Sequence, residues 1–569
     1  MKKKRYQCGP ALKGVRVTLQ IRVITPCNAS QIHHRPTRTP KLDMDIPQSI
    51  QQNRARIFPL QKKDESVTIS LSIVDATVLR YTPTGGIWLF DGPPSSTPDD
   101  IVFSLRKTLD AYPQLCGQLK VTTSSGQVAN HTQRYSRPHV IWGQPEDPGV
   151  EVVIAKCPVR LTSILPDAKE RVDGQVWDPS PIAKMVLLPQ TPPLALHDRV
   201  SFVGLPSTIV QITTFECGGI AIAVKMAHVL ADAQTLLTFV HDWAAVHRGL
   251  AKGEHIMLDR PFEPHRLDAS AAGDIDASEP DKNIIDQARN VPLHRYDWWA
   301  SSTEECPPFM IQSTRIPDAI KAQHSDIELG KPLPWTQWDV LAPTCNRLLY
   351  FSRDEILAMW KATTEGNDGI RTSKLDALLS HVWSLVVRAR QLPPDDTDVH
   401  FDVTIGLRNR LAKALPPDFL GSPIMNIPVT LPAKELSSGA TPIIAATIRS
   451  SMTKYDPPAL GALLHQFAYD LDPARYWNTC LGERHTIATS WLESRAGMGV
   501  YDVDFGFGRP RIVDPNMPVC DGCVQIMETG VTEGGKKSWH DDGASVNLHL
   551  RTDVMERLLA DPLLRKYRL

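Results

Sequence analysis

The feature that most constrains the fold is a change of periodicity along residues 202–248. Two apolar runs, 202–214 and 219–226, have the character of β-strands, and apolar residues then recur at helical spacing over 232–248. His228 stands between the second run and the helical pattern. Because an imidazole titrates near neutral pH, a histidine held at a strand-to-helix junction can act as a general base. The alternative interpretation is a histidine that only packs in the core.

The spacing His-x-x-x-Asp is weak on its own, since roughly one or two matches are expected by chance in a chain of this composition. The chain contains three such pairs, His228/Asp232, His255/Asp259 and His549/Asp553. His255 lies in a charged, proline-rich connection, and His549 lies in an alternating segment typical of a strand. Only His228 has the combination of a strand, a turn and a following helix, which makes it the candidate base. Asp232 falls near the helix N-cap, where a carboxylate is stabilised even without a catalytic role.

A second segment supports His228 as the candidate base. The segment Tyr501-Asp-Val-Asp504-Phe505-Gly506-Phe507-Gly508-Arg-Pro510 resembles the D-F-G-W-G motif of the BAHD acyltransferases, and His228-Val-Leu-Ala-Asp232 resembles their H-x-x-x-D-G motif. Both occur in the order of that family. Further segments similar to the family's are 105–119, 214–219, 373–383, 402–410, Pro416-Pro417 and Thr489-Ser490-Trp491. The resemblance covers about residues 66–569 and is greatest to the fungal branch.

Three positions depart from the family's pattern. Ala233 replaces the glycine after Asp232, and Phe507 replaces a tryptophan, which keeps an aromatic ring but loses the indole N–H. The segment Phe419-Leu-Gly421-Ser422 replaces Y-F-G-N, so the contact made by the family's asparagine amide is in question. None of these changes removes the candidate base.

The resemblance implies an α/β fold with two chloramphenicol-acetyltransferase-like domains, each a mixed β-sheet flanked by helices. It assigns 66–250 to an N-terminal domain that carries the candidate base and 346–569 to a C-terminal domain that carries the D-F-G-x-G motif. The intervening residues 251–345 are polar and weakly periodic, as expected for a long crossover. Residues 1–65 are basic and weakly periodic, which predicts a mostly disordered extension with a short strand over 15–23.

Shorter patterns predict the other elements of the two domains. Strands are expected over 70–75, 86–90, 118–122, 149–154, 347–351, 523–527 and 546–550, with one more ending at 408. Helices are expected over 99–112, 354–364, 373–390 and 553–560.

Composition argues against several classes of function. A formal net charge of −1 and a pI near 7.0 give no electrostatic basis for a nucleic-acid partner. No apolar run reaches the roughly 18 residues that span a bilayer, so no membrane-spanning helix is expected. The basic start Met1-Lys-Lys-Lys-Arg5 is not followed by the apolar segment of a signal peptide. A cytoplasmic location is therefore expected.

The ten cysteines are scattered at irregular intervals, as expected for free thiols in a reducing compartment. The single C-x-x-C pair, Cys520 and Cys523, lacks the second pair that a zinc site needs, so no metal is expected. The sequence also lacks the glycine-rich phosphate motifs and the G-x-S-x-G nucleophile motif. A histidine base without an enzyme nucleophile suits direct transfer, in which the substrate itself attacks.

The family resemblance implies an acyltransferase, of the kind that transfers groups other than aminoacyl groups. It would use acyl-CoA as co-substrate, hold no permanent cofactor and act as a monomer. His228 would be the general base in the transfer of an acyl group, expected to be acetyl, to a hydroxyl of a specialised metabolite without an acyl-enzyme. The family's aspartate points away from substrate and pairs with an arginine, so Asp232 is expected to pair with Arg408 or Arg410.

Two other segments supply candidate site residues through the resemblance. Asp504 is a candidate second acid or base, although in the family its motif is mainly structural. The candidates for the CoA channel are Phe505, Gly506, Phe507 and Gly508 in this motif and Thr489, Ser490 and Trp491 in the other. The latter three are also the candidate source of hydrogen-bond donors to the oxyanion.

Three alternatives remain open. The same base would serve an amine, which makes an N-acyltransferase the nearest alternative. A condensation enzyme that uses carrier-protein thioesters typically has a doubled histidine, and Ala227 at the first of these positions argues against that class. The third alternative is a non-catalytic relative that binds CoA or a metabolite. The acyl chain, the acceptor and the residues that bind the CoA phosphates are left open by the sequence.

Overall fold

The computed structural model describes residues 48–568 except for eight segments. Those segments are 62–64, 93–95, 124–127, 129, 189–201, 366–368, 493–497 and 532–537. The strand predicted over 15–23 lies outside the described residues. Within the part of the chain that is described, no helix combines the length and the apolar character needed to cross a bilayer.

Across the described residues, eighteen strands form four sheets. In chain order the strands are β1 (Ile50–Ile57), β2 (Val67–Ser70), β3 (Thr84–Phe90), β4 (Gln118–Val121), β5 (Pro138–Trp142), β6 (Val150–Cys157), β7 (Val176–Trp177), β8 (Thr208–Phe215), β9 (Ile220–Met226), β10 (Tyr296–Asp297), β11 (Thr344–Phe351), β12 (Asp398–Gly406), β13 (Ile424–Pro432), β14 (Tyr476–Trp477), β15 (His485–Ser490), β16 (Ile512–Asp514), β17 (Cys523–Met527) and β18 (Ala544–Arg551).

The helices cover the sheets and fill the connections. In chain order they are α1 (Ile73–Thr77), α2 (Pro98–Thr108), α3 (Leu161–Ile164), α4 (Ala168–Gly174), α5 (Ser180–Lys184), α6 (Ala233–Ala251), α7 (His265–Asp268), α8 (Lys282–Asn290), α9 (Ile311–Thr314), α10 (Asp318–Lys321), α11 (Arg353–Glu365), α12 (Lys374–Arg390), α13 (Ala433–Ser437), α14 (Thr441–Thr453), α15 (Pro457–Tyr469) and α16 (Thr552–Leu559).

Two large mixed sheets dominate the structure, and each includes a strand from the other half of the chain. The six-stranded sheet has the order β1-β6-β8-β9-β3-β16, in which only β6 and β8 are parallel. The seven-stranded sheet has the order β13-β12-β15-β17-β18-β11-β7, with β12, β15 and β17 parallel. Strand β16 comes from the C-terminal half and β7 from the N-terminal half. The described residues accordingly form one compact unit.

Side-chain alternation gives the seven-stranded sheet an apolar face and a polar face. Val524 and Ile526 on β17, with Val546 and Leu548 on β18, are fully buried in a core that also includes side chains of α11, α12 and α14. Burying each such side chain contributes about 1.5–3 kcal/mol. Because successive side chains of a strand point to opposite faces, the intervening residues of β17 and β18 lie on the other side of the sheet.

The α/β fold with mixed sheets flanked by helices is confirmed. The element predictions over 86–90, 99–112, 373–390 and 523–527 agree with β3, α2, α12 and β17 to within a few residues. Long amphipathic helices and buried strands carry strong periodic patterns, which is why the sequence predicts them well.

Two features near the N-terminus differ from the local sequence predictions. Strand β1 forms inside residues 1–65, which the sequence predicts to be mostly disordered with a short strand over 15–23. Its side chains are nearly all exposed, so it lacks the alternation by which a strand is recognised. The strand predicted over 70–75 is instead the end of β2 followed by α1. Ser72 and Asp75 start that helix as a capping box, in which each side chain accepts a hydrogen bond from the other residue's backbone N–H.

Candidate active site

His228 lies in a tight turn between β9 and α6. Strand β9 is almost entirely buried, and Ala227 at its end donates its N–H to the carbonyl of Ser207 at 2.8 Å. The N–H of Leu230 then donates to the carbonyl of Ala227 at 2.9 Å, which closes the turn. The predicted strand-to-helix junction is therefore present, and it leaves the imidazole of His228 half-buried.

Asp232 is fixed by α6 and by a buried arginine. Its carboxylate caps the helix by accepting the N–H of Thr235 at 2.9 Å. Arg408 binds the same carboxylate through both terminal nitrogens, one of them 2.9 Å from Oδ1, and also donates to the carbonyl of Phe419 at 3.0 Å. The backbone N–H of Asp232 donates to the carbonyl of Gly421 at 3.1 Å. Asp232 thus joins the turn after the histidine to the segment 419–421.

Of the two candidate partners of Asp232, the structure selects Arg408. Arg408 and Asp232 are both buried, so each needs the other to offset the loss of hydration. Arg410, two residues on, forms no ion pair among the described residues.

Ser422 is the hydrogen-bond neighbour of the candidate base. Its Oγ lies 3.0 Å from Nδ1 of His228, and its backbone N–H donates to Oδ1 of Asp75 at 2.7 Å. Asp75 is fully buried, and burial raises the pKa of its carboxyl to about 7. The hydrogen bonds from Ser72 and Ser422 lower this pKa, but by less than burial raises it. The α1 cap is therefore linked through Ser422 to the imidazole.

The surroundings of His228 favour its neutral form. Burial lowers the pKa of the imidazole below its ordinary value of 6.5, and its own backbone carbonyl and Asp232 oppose that shift in part. Nδ1 faces Ser422, whereas Nε2 has no hydrogen-bond partner within the described residues. A proton on Nδ1 leaves the lone pair of Nε2 free to accept another.

Aromatic and amide groups form another side of the site. The ring of Tyr81 meets the imidazole of His228 edge-on, with ring centroids 5.5 Å apart. Its hydroxyl accepts a hydrogen bond from the amide of Asn426 at 2.8 Å, and the carbonyl of that amide accepts one from Thr404 at 2.8 Å. Tyr81 therefore has a fixed orientation beside the base.

A cavity of about 900 Å³ adjoins this region. Gln234 and Arg408 line it, so the cavity reaches the first turn of α6 and the arginine that holds Asp232, although His228 is not among its lining residues. The cavity extends past the ends of β12 and β15 to the start of α12. Its volume is near the upper end of the range that is usual for small-molecule binding sites.

Basic side chains concentrate along this cavity. Of the residues that the structure describes, Arg371, Lys374, Arg410 and Arg449 line it together with one carboxylate, Asp376. Asp376 is already engaged, because Arg449 donates to it at 2.8 Å. Arg410 is half-buried beside Arg449, and both burial and that neighbouring charge lower the pKa of its guanidinium. The cavity wall is therefore electropositive.

A family model described as the Transferase family matches residues 191–559, which is more than half of the chain. The chain belongs to this family, the BAHD acyltransferases. It is an enzyme that transfers acyl groups.

Named relatives and solved structures are similar to this BAHD enzyme over most of their length. The acyltransferase abl6 of Leptosphaeria maculans is 26% identical over 90% of this chain and 96% of its own. The acyltransferase AFT15-1 of Alternaria alternata is 24% identical over 84% of this chain and 90% of its own. The structure of TRI101 from F. graminearum, complexed with ethyl coenzyme A, superposes with a TM-score of 0.60 at 16% identity and covers 88% of this chain and 99% of its own. That likeness shows the fold.

The structure places the Asp504 motif at the opposite end of α6. Asp232 precedes the helix, whereas Arg248 near its end donates to the backbone carbonyl of Asp504. Since a helix rises about 1.5 Å per residue, positions 232 and 248 are roughly 24 Å apart. Asp504 is therefore not brought together with His228, although both were candidate catalytic residues.

Within the motif, the side chains build a turn and a core contact. Oδ1 of Asp504 accepts the N–H groups of Gly506 at 2.7 Å and Gly508 at 3.1 Å. Both glycines have a positive φ, of 91° and 84°, which favours glycine. The ring of Phe505 packs against Trp243 of α6 with centroids 5.0 Å apart, and Phe507 lies beside it. None of these residues lines the 900 Å³ cavity.

The segment 489–491 is divided between the cavity and the core. Thr489 and Ser490 line the cavity, as expected for channel residues. Trp491 is buried in the core, and its backbone N–H donates to Ile526 at 2.9 Å. Trp491 therefore does not line the cavity.

The sequence did not identify Ser422, Asp75 and Tyr81 as neighbours of the base. The departure from Y-F-G-N at 419–422 marked a position of interest, but not its contact with Nδ1. Asp75 is 347 residues from Ser422, and no periodic pattern connects two such positions.

Proposed function

We propose that this enzyme transfers an acyl group from acyl-CoA to a hydroxyl of a specialised metabolite, with His228 as the general base and without an acyl-enzyme. The observation that carries the proposal is the imidazole itself. Nδ1 is engaged by Ser422, Nε2 is unpaired within the described residues, and burial lowers the pKa of the ring, so the imidazole is a neutral base at pH 7.

The reaction follows from that arrangement. The acceptor hydroxyl gives its proton to Nε2 of His228 as its oxygen forms a bond to the thioester carbonyl carbon. The tetrahedral intermediate collapses, the C–S bond breaks, and the proton on His228 passes to the departing CoA thiolate. An alcohol ionises far above pH 7, so a positioned base increases the rate on the order of 10²–10⁴-fold.

Two groups of residues support this chemistry without exchanging the proton. Asp232 and Arg408 hold the turn that presents the histidine, because their buried pair ties α6 to the segment 419–421. Thr489 and Ser490 are the proposed source of a donor to the oxyanion, a role worth roughly 3–4 kcal/mol in other enzymes.

The electropositive cavity supports acyl-CoA as the donor. CoA carries phosphates, and Arg371, Lys374 and Arg410 offer cations. Among the described residues that line the cavity, the one carboxylate is that of Asp376, which Arg449 already binds. TRI101, which shares the fold, is complexed with ethyl coenzyme A. Acetyl-CoA is the first donor to test.

The test measures free thiol released from acetyl-CoA and longer acyl-CoAs, with an extract of hydroxylated metabolites as acceptor and mass spectrometry of the products. His228→Ala should lower acceptor-dependent release at least a hundredfold. His255→Ala is the matched control, since His255 has the same spacing to an aspartate but is exposed in a connection. Equal release by wild type and His228→Ala would overturn the mechanism.

A further inference from the structure

Tyr81 has a hydroxyl proton for which the described part of the chain provides no acceptor. The phenol oxygen accepts a hydrogen bond from the amide nitrogen of Asn426 at 2.8 Å. Thr404 donates to the carbonyl oxygen of the same amide at 2.8 Å, so the NH₂ group of Asn426 is the end that faces Tyr81. Because a phenol carries one donor and also accepts, the Tyr81 oxygen is paired while its own proton remains free to be donated.

The side chain of Tyr81 is held in one orientation. Its ring packs against the imidazole of His228 in a T-shaped arrangement, with centroids 5.5 Å apart, and against Trp477 in another at 5.1 Å. Trp477 is itself fixed, because β14 pairs with β10. The hydrogen bond from Asn426 fixes the far end of the ring. A donor fixed in this way needs no reorganisation at the moment when charge develops near it.

Tyr81 also connects the candidate base to the wall of the main cavity. Its ring contacts His228, and its oxygen is bonded to Asn426, which stands opposite Thr404 in the register of β13 and β12. Thr404 lines the 900 Å³ cavity. Asn426 is almost completely buried, whereas Tyr81 is only half-buried. The phenol is therefore the accessible end of this group of polar side chains.

The hydroxyl of Tyr81 is a neutral donor at pH 7. Burial raises the pKa of the phenol above its ordinary value of 10.0, and the carboxylate of Asp402 adds to this rise, while the hydrogen bond from Asn426 opposes it. The hydrogen bonds from Thr404 to Asn426 and from Asn426 to Tyr81 run in the same direction. Hydrogen bonds in such a chain polarise one another, so the free O–H at its end is a stronger donor.

The proposed reaction develops negative charge close to this donor. The nucleophile that gives its proton to His228 attacks the thioester carbonyl carbon, so the carbonyl oxygen lies within a few ångströms of the imidazole that Tyr81 contacts. As the new C–O bond forms, the π electrons of the carbonyl group move onto its oxygen. A preorganised donor stabilises that oxyanion more than it stabilises the uncharged thioester, and this difference accelerates the reaction.

We infer that Tyr81 is a further catalytic residue, whose hydroxyl donates a hydrogen bond to the oxyanion of the tetrahedral intermediate. The inference rests on the proposed function and adds a second donor to the one proposed from Thr489 and Ser490. Tyr81 keeps its proton throughout the reaction. The negative charge returns to the carbonyl bond when the C–S bond breaks, and the CoA thiolate leaves.

The first test is Tyr81→Phe, which keeps the ring and its contacts with His228 and Trp477 and removes the hydroxyl. With acetyl-CoA as donor and the extract of hydroxylated metabolites as acceptor, kcat for thiol release should fall about a hundredfold, as expected for one lost oxyanion donor. The KM for acetyl-CoA should change little, because the donor acts in the transition state. The amount of extract needed for half-maximal release should also stay the same.

Two results would overturn the inference. One is an unchanged kcat in Tyr81→Phe. The other is a larger requirement for extract with an unchanged rate at saturation, which would place the hydroxyl on the acceptor molecule instead of the oxyanion.

Tyr112→Phe is the matched control for the loss of a buried phenol. The ring of Tyr112 packs against Phe239, and its hydroxyl donates to Oδ2 of Asp242 at 2.5 Å. Removing this hydroxyl should lower the unfolding temperature, because the hydrogen bond lies within the core. Its kcat, measured well below the unfolding temperature of either variant, should stay within about twofold of wild type, since Tyr112 contacts neither the base nor the main cavity. An equal fall in kcat in both variants would overturn the catalytic role of Tyr81.

Ethyl coenzyme A separates catalysis from the architecture of the donor site, because this thioether has no carbonyl oxygen. Its Kd, measured by calorimetry, should agree within about twofold between wild type and Tyr81→Phe. Binding weakened tenfold or more would show that Tyr81 shapes the donor site, and it would overturn the catalytic role.

Failure of the proposed function has a different signature from failure of this inference. Wild type and His228→Ala would then release thiol equally, whichever residue stands at position 81, and both conclusions would be overturned. If release depends on His228 but Tyr81→Phe is as fast as wild type, the base is retained and the role of Tyr81 alone is rejected.

Discussion

The two ends of α6 hold the two segments that most resemble a known motif, and they differ in what surrounds them. At the N-terminal end, His228 has one ring nitrogen engaged and the other unpaired among the described residues, beside a cavity. At the C-terminal end, the oxygen of Asp504 is occupied by two backbone N–H groups, and Phe505 is packed in the core. The difference teaches that a motif marks positions on which the fold depends. Only a side-chain atom that is both unpaired and accessible indicates chemistry.

The contrast between the two ends of α6 is tested most directly by the pH dependence of the reaction that His228 catalyses. The rate of His228-dependent transfer should fall as pH decreases, because only the neutral imidazole accepts a proton. Burial lowers the pKa of His228, so the decline should be centred below pH 6.5. The pH dependence of kcat/KM measures this value. A rate that stays level well below pH 6.5 and then vanishes only on unfolding would contradict the assignment.

Replacing Asp232 tests whether that residue acts through structure. Asp232→Ala leaves the buried Arg408 without a charged partner and should destabilise the protein by about 3–5 kcal/mol. Chemical denaturation measures the free energy of unfolding. Arg410→Ala is the control, since Arg410 forms no ion pair among the described residues and should change stability by less than about 0.5 kcal/mol. A stable Asp232→Ala with a hundredfold lower kcat would instead indicate direct participation.

Replacing Ser422 tests how the imidazole is held. Ser422→Ala removes the group 3.0 Å from Nδ1 and should lower kcat about tenfold, equivalent to roughly 1.4 kcal/mol for one hydrogen bond, with little change in KM for acyl-CoA. Ser422→Asn keeps a hydrogen-bonding side chain and should recover most of the rate. If the two variants are equally slow, the loss comes from packing and Ser422 does not orient the base.

The smallest effect on rate is expected at the other end of α6. Asp504→Ala removes an oxygen that accepts two backbone N–H groups and should cost about 1–2 kcal/mol of stability. Its kcat, measured well below the unfolding temperature, should stay within about twofold of wild type. A fall in kcat comparable with that of His228→Ala, without loss of stability, would give Asp504 a direct chemical role and remove the contrast between the two motifs.

Much of the fold could be predicted because its longest elements carry strong local patterns. The helices α6 and α12 have apolar residues at helical spacing, and β9 and β17 are buried runs. The predictions failed where the signal was weak or local chemistry competed with it. Strand β1 has exposed side chains, and the Ser72–Asp75 capping box replaced a predicted strand by a helix.

The candidate site could be predicted only in part, because the sequence shows which residues are close along the chain but not which elements pack together. His228 and Asp232 are four residues apart, so one turn and one helix cap place both. Arg408 was one of two candidates, because an alternating strand end does not show which of two arginines turns inward. Ser422 and Tyr81 lie on other elements, and only packing between those elements brings them to the imidazole.

The sequence by itself determined the family, the fold class and the identity of the candidate base, because those depend on local periodicity and on motifs within short segments. The tertiary structure decided the pairing of Asp232 with Arg408, the contact of Ser422 with Nδ1 and the separation of Asp504 from His228. These features depend on contacts between residues far apart in the chain, and burial gives such contacts their energetic weight because it removes the competing hydrogen bonds of water.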